Sequence, residues 1–186
     1  SLSRCVYRAH PSDALRPTPE LRQRGAQILA RADTIAGCVL IHPGSGSESK
    51  NWPLPNFLEV ARLLKKADYP VAWLIGEVEL ERWDASRIDE LTKEAPLLRS
   101  LSPDDLLAVL ASVGAFLGND SGPGHLAALI GAPTVSIFGP TSAEVWGPLG
   151  PRTTALQGHP LRSRKRWDVR AEAVRDAVIR LISQAD

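Results

Sequence analysis

Two stretches rich in glycine and serine hold the residues of this sequence best suited to grip an anion. The first reads His42-Pro43-Gly44-Ser45-Gly46-Ser47-Glu48-Ser49-Lys50-Asn51-Trp52. Its glycines let the backbone approach a ligand closely, its serines add hydroxyl donors, and Lys50 is a mobile cation. That set suits a phosphate, although the GxxxxGK[ST] spacing of a P-loop is absent. The same composition also fits a flexible surface loop with a solvated lysine. The second stretch is Gly118-Asn119-Asp120-Ser121-Gly122-Pro123-Gly124-His125. A turn of this kind, opening straight into a helix, leaves backbone N–H groups unpaired at the positive end of the helix dipole, where anions bind readily. Pro123 has no N–H, so Ser121, Gly122 and Gly124 are the expected donors. Plain capping by Asp120 or Ser121 would explain one residue, but not the clustering of Asp, Ser, Gly and His. A nucleophilic role for Ser121 is set aside, because Asn119 and Pro123 stand where a GxSxG elbow needs glycines.

The elements that position these stretches follow from pattern. Residues 1 to 18, with Pro11 and Pro17, read as a loop or linker. Thr18-Pro19-Glu20 opens a helix to about Ala32, weakened by Gly25. Apolar runs at Cys38–Ile41, Val71–Ile75, Leu97–Leu98, Ala115–Gly118 and Thr134–Phe138 predict buried strands, with a weaker one near Thr153–Leu156. Helices are expected around Leu54–Ala61, through the polar stretch Glu79–Glu94, after Ser102-Pro103, over Leu126–Ile130, and through Val174–Ile182. Asn119 to Gly124 is expected to be a tight turn. Strands apolar throughout, alternating with helices, predict an α/β fold: a Rossmann-like, doubly wound parallel sheet covered on both faces. Ligands of such sheets sit beyond the carboxyl ends of the strands, near the point where strand order reverses.

Bulk properties narrow the function classes. A length of 186 residues, 44% hydrophobic and 23% charged, is that of one ordinary globular domain. A formal net charge of +1 argues against a nucleic-acid partner. No apolar run approaches the ~20 residues that span a bilayer, so at most peripheral membrane contact is expected. Cys5 and Cys38 lack metal-type spacing; a reducing cytoplasm suits them, with neither disulfide nor metal site. The basic run Arg162, Arg164, Lys165, Arg166 reads as a solvated loop, with contact to anionic lipid or to a diphosphate as the alternative. His159 reads as a surface residue, and Trp146 and Trp167 as capping a domain edge or facing another domain. The chain opens Ser1-Leu2 without an initiator Met, as expected of a piece of a longer protein.

HPGSGSESKNWP and GNDSGPGHLAALIGAPTVSIFGPT together resemble the two signature regions of glycosyltransferase family 9, the lipopolysaccharide heptosyltransferases. The resemblance covers roughly residues 36 to 150, with a family-like final helix beyond. It implies the GT-B architecture of two Rossmann-like domains facing across a cleft, of which this chain would be the carboxyl-terminal half. Residues 1–35 would be linker and first helix, and 36–186 the nucleotide-sugar-binding domain. The donor implied is ADP-heptose, a substrate rather than a cofactor, and the acceptor the lipopolysaccharide core. By the same resemblance Gly44 and Ser45 would line the diphosphate and Lys50 would pair with it. Backbone donors at Ser121 and Gly122 would hold the same group, Asp120 would contact sugar hydroxyls, and His125 would sit beside phosphates or sugar. An acidic residue after the second strand would meet the ribose, a role for which Glu79 and Glu77 compete; two solvated glutamates are the alternative. The catalytic base of the family lies in the amino-terminal domain, which also forms the acceptor site. No catalytic residue is therefore expected here, and the isolated chain is expected to be inactive. A GT-B transferase using another nucleotide sugar and a non-catalytic nucleotide-binding module are the alternatives.

Overall fold

A computed structural model describes residues 15–158 and 168–184. Cys5, His159, Arg162, Arg164, Lys165, Arg166 and Trp167 lie outside the described residues. The elements run α1 (Pro19–Arg31), β1 (Val39–His42), α2 (Leu54–Lys66), β2 (Val71–Ile75), α3 (Glu77–Arg82), α4 (Ala85–Glu94), β3 (Leu97–Arg99), α5 (Pro103–Leu110), β4 (Ala115–Asn119), α6 (Gly122–Leu129), β5 (Thr134–Phe138), α7 (Ala143–Trp146), β6 (Thr153–Gln157) and α8 (Ala171–Ser183). All six strands are parallel, in the order β3-β2-β1-β4-β5-β6. This is the doubly wound sheet that the apolar runs predict.

The alternation of side chains along each strand divides the core in two. Val39 and Ile41 of β1, Trp73 of β2, Leu117 of β4 and Ile137 of β5 face α2 and α8, which supply Phe57, Leu64, Val174 and Val178. Leu40, Leu74 and Phe116 face the other way, onto Leu29 of α1, Val109 of α5 and Ala127 of α6. Each such side chain, fully withdrawn from water, contributes about 1.5–3 kcal/mol. Strands buried on both faces are mainly hydrophobic, and the polar exceptions Thr134 and Ser136 of β5 are themselves buried.

Thr18 caps α1, its Oγ1 accepting from Leu21 N at 3.3 Å. Gly25 belongs inside that helix for a packing reason. A Cβ there would overlap the Ala108 carbonyl oxygen and the Ser112 hydroxyl of the α5 segment. The bare backbone lets the two helices touch, and Ser112 Oγ donates to Arg22 O at 2.7 Å across the seam.

The polar stretch Glu79–Glu94 is helical over most of its length, as expected, in two pieces. It breaks at Trp83-Asp84, where Asp84 caps α4 by accepting from Arg87 N at 3.0 Å. Helix α6 begins at Gly122 rather than Leu126, and Asn119 belongs to β4, so the turn between them shrinks to two residues, Asp120 and Ser121. A short helix, α7, stands in the Gly/Pro-rich loop after β5, where Trp146 is exposed together with Val145 and Leu149. Among the described residues no helix is long and apolar enough to cross a membrane.

Candidate functional site at the tips of β1 and β4

The chain leaves β1 toward α2 on one face of the sheet and leaves β4 toward α6 on the other. Neighbouring strands whose connections diverge open a crevice between their carboxyl ends. Both anion-suited stretches meet there.

Asn119, the last residue of β4, ties them together. Its fully buried amide donates from Nδ2 to Pro43 O at 2.9 Å, and its Oδ1 accepts from Trp52 N at 2.9 Å. One side chain thus pins both ends of the first stretch. Inside that stretch, Ser45 Oγ donates to Asn51 Oδ1 at 2.6 Å and accepts from Ser47 N at 3.3 Å. A short 3₁₀ turn, Glu48–Lys50, then carries the lysine forward. Trp52 is buried edge-on against Phe57, ring centroids 5.0 Å apart, and anchors the exit.

From this frame Lys50 Nζ donates to Asp120 Oδ2 at 2.9 Å, bridging the two stretches. Thr141 Oγ1, from the loop after β5, donates to the same oxygen at 2.9 Å. His125 Nε2 lies 3.6 Å from Asp120 Oδ1, too far for a hydrogen bond but near enough to attract when protonated. Burial pushes the Asp120 carboxyl upward, but hydrogen bonds from Lys50 and Thr141 and the charges of Lys50 and His125 outweigh it, so the group sits below the usual carboxylate range.

Beside this cluster lies a cavity of about 220 Å³. Ser45, Ser121 and Gly122 line it together with the apolar Leu74, Leu101, Leu106 and Pro123. Ser121 Oγ is buried and has no partner among the described residues, so it does not cap the helix. Gly124 is not an available donor, contrary to expectation. Its N–H bonds to Ser121 O at 3.1 Å within the first turn of α6. The first amides of a helix have no acceptor within it, which leaves Ser121 and Gly122.

Glu79 is not a solvated glutamate. Only 4% exposed, it turns back so that Oε2 accepts from Gly76 N at 2.9 Å. Its carboxylate fills the space a Gly44 side chain would occupy, so a side chain at 44 would force Glu79 to move. Glu77 is exposed at the rim of the same cavity. His42 is buried at the end of β1, and its Nδ1 stands 3.0 Å from Leu74 O. A carbonyl only accepts, so Nδ1 carries the proton. Burial drives the His42 pKa down, partly opposed by that carbonyl and by the Glu79 charge.

Gly44, Ser45, Lys50, Glu79, Asp120, Ser121, Gly122 and His125 therefore gather around one crevice. His42, Asn119 and Thr141 join them without having been assigned a role. His42 and Asn119 end apolar strands, which is the available signal; nothing in the sequence pairs Thr141 with Asp120. Among the described residues no group of at least three His, Cys, Asp or Glu could hold a metal ion.

Residues 11–172 match the family described as "Glycosyltransferase family 9 (heptosyltransferase)". The chain belongs to glycosyltransferase family 9. Among relatives of this family 9 chain, lipopolysaccharide heptosyltransferase 1 of Pseudomonas aeruginosa is 34% identical over 122 residues, which cover 66% of this chain and 34% of that one. The structure of E. coli ADP-heptose LPS heptosyltransferase II is similar with a TM-score of 0.73 at 18% identity, covering 92% of this chain and 54% of that chain. E. coli heptosyltransferase WaaC, solved with ADP, gives 0.65 at 23% identity, covering 78% and 45%. The family 9 chain spans about a third of the length of the curated relatives it matches. Its fold is a Rossmann-like doubly wound parallel sheet, similar to about half of each of the solved family structures.

Proposed function

We propose that this chain is the nucleotide-sugar-binding part of a heptosyltransferase-like enzyme that transfers heptose from ADP-heptose to the lipopolysaccharide core. The observation that carries this reading is the meeting of Lys50 and the amino terminus of α6 at the tips of β1 and β4. A diphosphate there meets a cation, the Ser121 and Gly122 amides and the positive end of a helix dipole. The unpartnered Ser121 hydroxyl supplies a further donor. Ser45, next to Gly44, lines the cavity, whose apolar residues Leu74, Leu101, Leu106 and Pro123 suit a base. Adenine is favoured because a related structure, E. coli WaaC, was solved with ADP. Glu79 or the exposed Glu77 meets the ribose, and Asp120 and His125 face the sugar.

In the transfer, an acceptor hydroxyl oxygen attacks the anomeric carbon and the bond from that carbon to the phosphate oxygen breaks. The leaving diphosphate takes the electron pair, and the anomeric configuration inverts. Charge accumulates on the diphosphate as the bond opens, so Lys50 and the α6 amides stabilise the transition state more than the ground state. The hydroxyl proton goes to a base carried by another part of the longer protein, together with the acceptor site. Membrane contact, where the lipid-linked acceptor requires it, is peripheral and cytoplasmic.

Calorimetric titration with ADP, UDP and GDP tests this reading. ADP is expected to bind in preference to the others. Equal affinity for all three would remove adenine, and no binding by any would remove the donor-site role. The purified chain alone is expected to transfer no heptose.

A further inference from the structure

Asp120 has more partners than a contact to a sugar requires. Its Oδ2 accepts from both Lys50 Nζ and Thr141 Oγ1, each at 2.9 Å. Thr141 comes from a third strand tip, after β5, and belongs to neither anion-suited stretch.

The two donors differ in kind. Lys50 is a long cation with 34% of its side chain exposed, free to swing. Thr141 is short, β-branched and half-buried, hence stiff. On the reading proposed above, on which this inference rests, Lys50 has to leave Asp120 to meet the diphosphate. The Asp120 carboxylate is only 9% exposed, and an ionised group that loses its last donor in such a place is strongly disfavoured. Asp120 holds Lys50 as the diphosphate would; when the diphosphate takes the lysine, a neutral donor has to keep Asp120 satisfied.

We propose that Thr141 is a positioning residue for donor binding, holding the Asp120 carboxylate in place while Lys50 exchanges it for the diphosphate. Thr141 does not line the cavity beside Asp120. It acts by making the exchange inexpensive.

A double-mutant cycle read by ADP affinity tests this on the chain as it stands. With Lys50 present, Thr141→Val is expected to weaken ADP binding about tenfold, because Asp120 is satisfied in the free state and stranded in the bound one. In a Lys50→Ala background the same substitution is expected to change ADP affinity less than about twofold, since Asp120 then has no partner to exchange. Thr141→Ser restores the hydroxyl and is expected to restore affinity. Thr141→Ala is expected to behave as Thr141→Val and serves if valine disturbs the fold. Unchanged ADP binding in Thr141→Val overturns the inference while leaving the donor site standing. So does an equal loss in both backgrounds, or failure of serine to rescue, either of which would mark a merely structural residue. If the wild-type chain binds no ADP, the donor site and this inference fall together.

Discussion

Replacing Gly44 by alanine tests the tightest contact in the candidate site. The added Cβ would overlap Oε1, Cδ and Cγ of Glu79, so one of the two must move. The backbone at 44 has little room, because Asn119 Nδ2 holds Pro43 O at 2.9 Å and Gly44 O at 3.3 Å. Glu79 therefore has to swing out and give up its charge-assisted hydrogen bond from Gly76 N. Such a bond contributes about 1.5–3 kcal/mol, part of which the carboxylate regains by hydration once outside. Residual crowding adds to this, and overpacked sites typically cost about 1–3 kcal/mol. The expected destabilisation of Gly44→Ala is about 1–3 kcal/mol, read by urea unfolding. Glu79→Ala alone is expected to cost about 1 kcal/mol, for the lost helix cap. In that background the obstacle is gone, so Gly44→Ala should then cost less than about 0.5 kcal/mol. Additive losses, with Gly44→Ala equally costly whether or not Glu79 is present, would refute the account of why residue 44 is glycine.

Lys50→Ala is expected to weaken ADP binding by about 1–3 kcal/mol, roughly 5- to 150-fold, by removing a charge-assisted contact and leaving Asp120 to repel the diphosphate; an unchanged calorimetric Kd would show that the lysine serves only its bridge to Asp120. Burial raises the Cys38 thiol pKa to about 11, so in a Cys5→Ser chain alkylation at pH 8 should be negligible until the protein unfolds. Stoichiometric labelling of the native protein by iodoacetamide would contradict that burial.

Much of the fold was legible because its signals are local. The apolar runs at β2 and β5 coincide with the observed strands, since a strand buried on both faces is built mainly of apolar residues, Thr134 and Ser136 of β5 being buried exceptions. Thr18 was readable as a cap for the same reason: a cap bonds three residues away. The misplaced boundary of α6 also has a local cause. Gly124 is no free donor because α6 starts at Gly122, so the turn ends three residues before Gly124. The candidate site was legible only as an inventory. Glycine spacing and the helix start marked Gly44, Ser45, Ser121 and Gly122, but did not reveal that Glu79 folds inward beneath Gly44.

By itself the sequence determined which segments must be strands, which turns expose backbone amides, and which cation stands near a glycine-rich loop. Those properties depend on residues within a turn or two of one another. Tertiary structure alone decided that β1 and β4 lie side by side, bringing Lys50 to Asp120 across 70 positions of sequence. It also decided that Asn119 clasps both ends of the first stretch, that Thr141 joins from a third strand tip, and that His42 is buried at the cavity, where burial lowers its pKa. Parallel strands are joined by long crossovers, so residues that meet at their tips are always distant in the chain. Only the order in which the sheet assembles can select those partners.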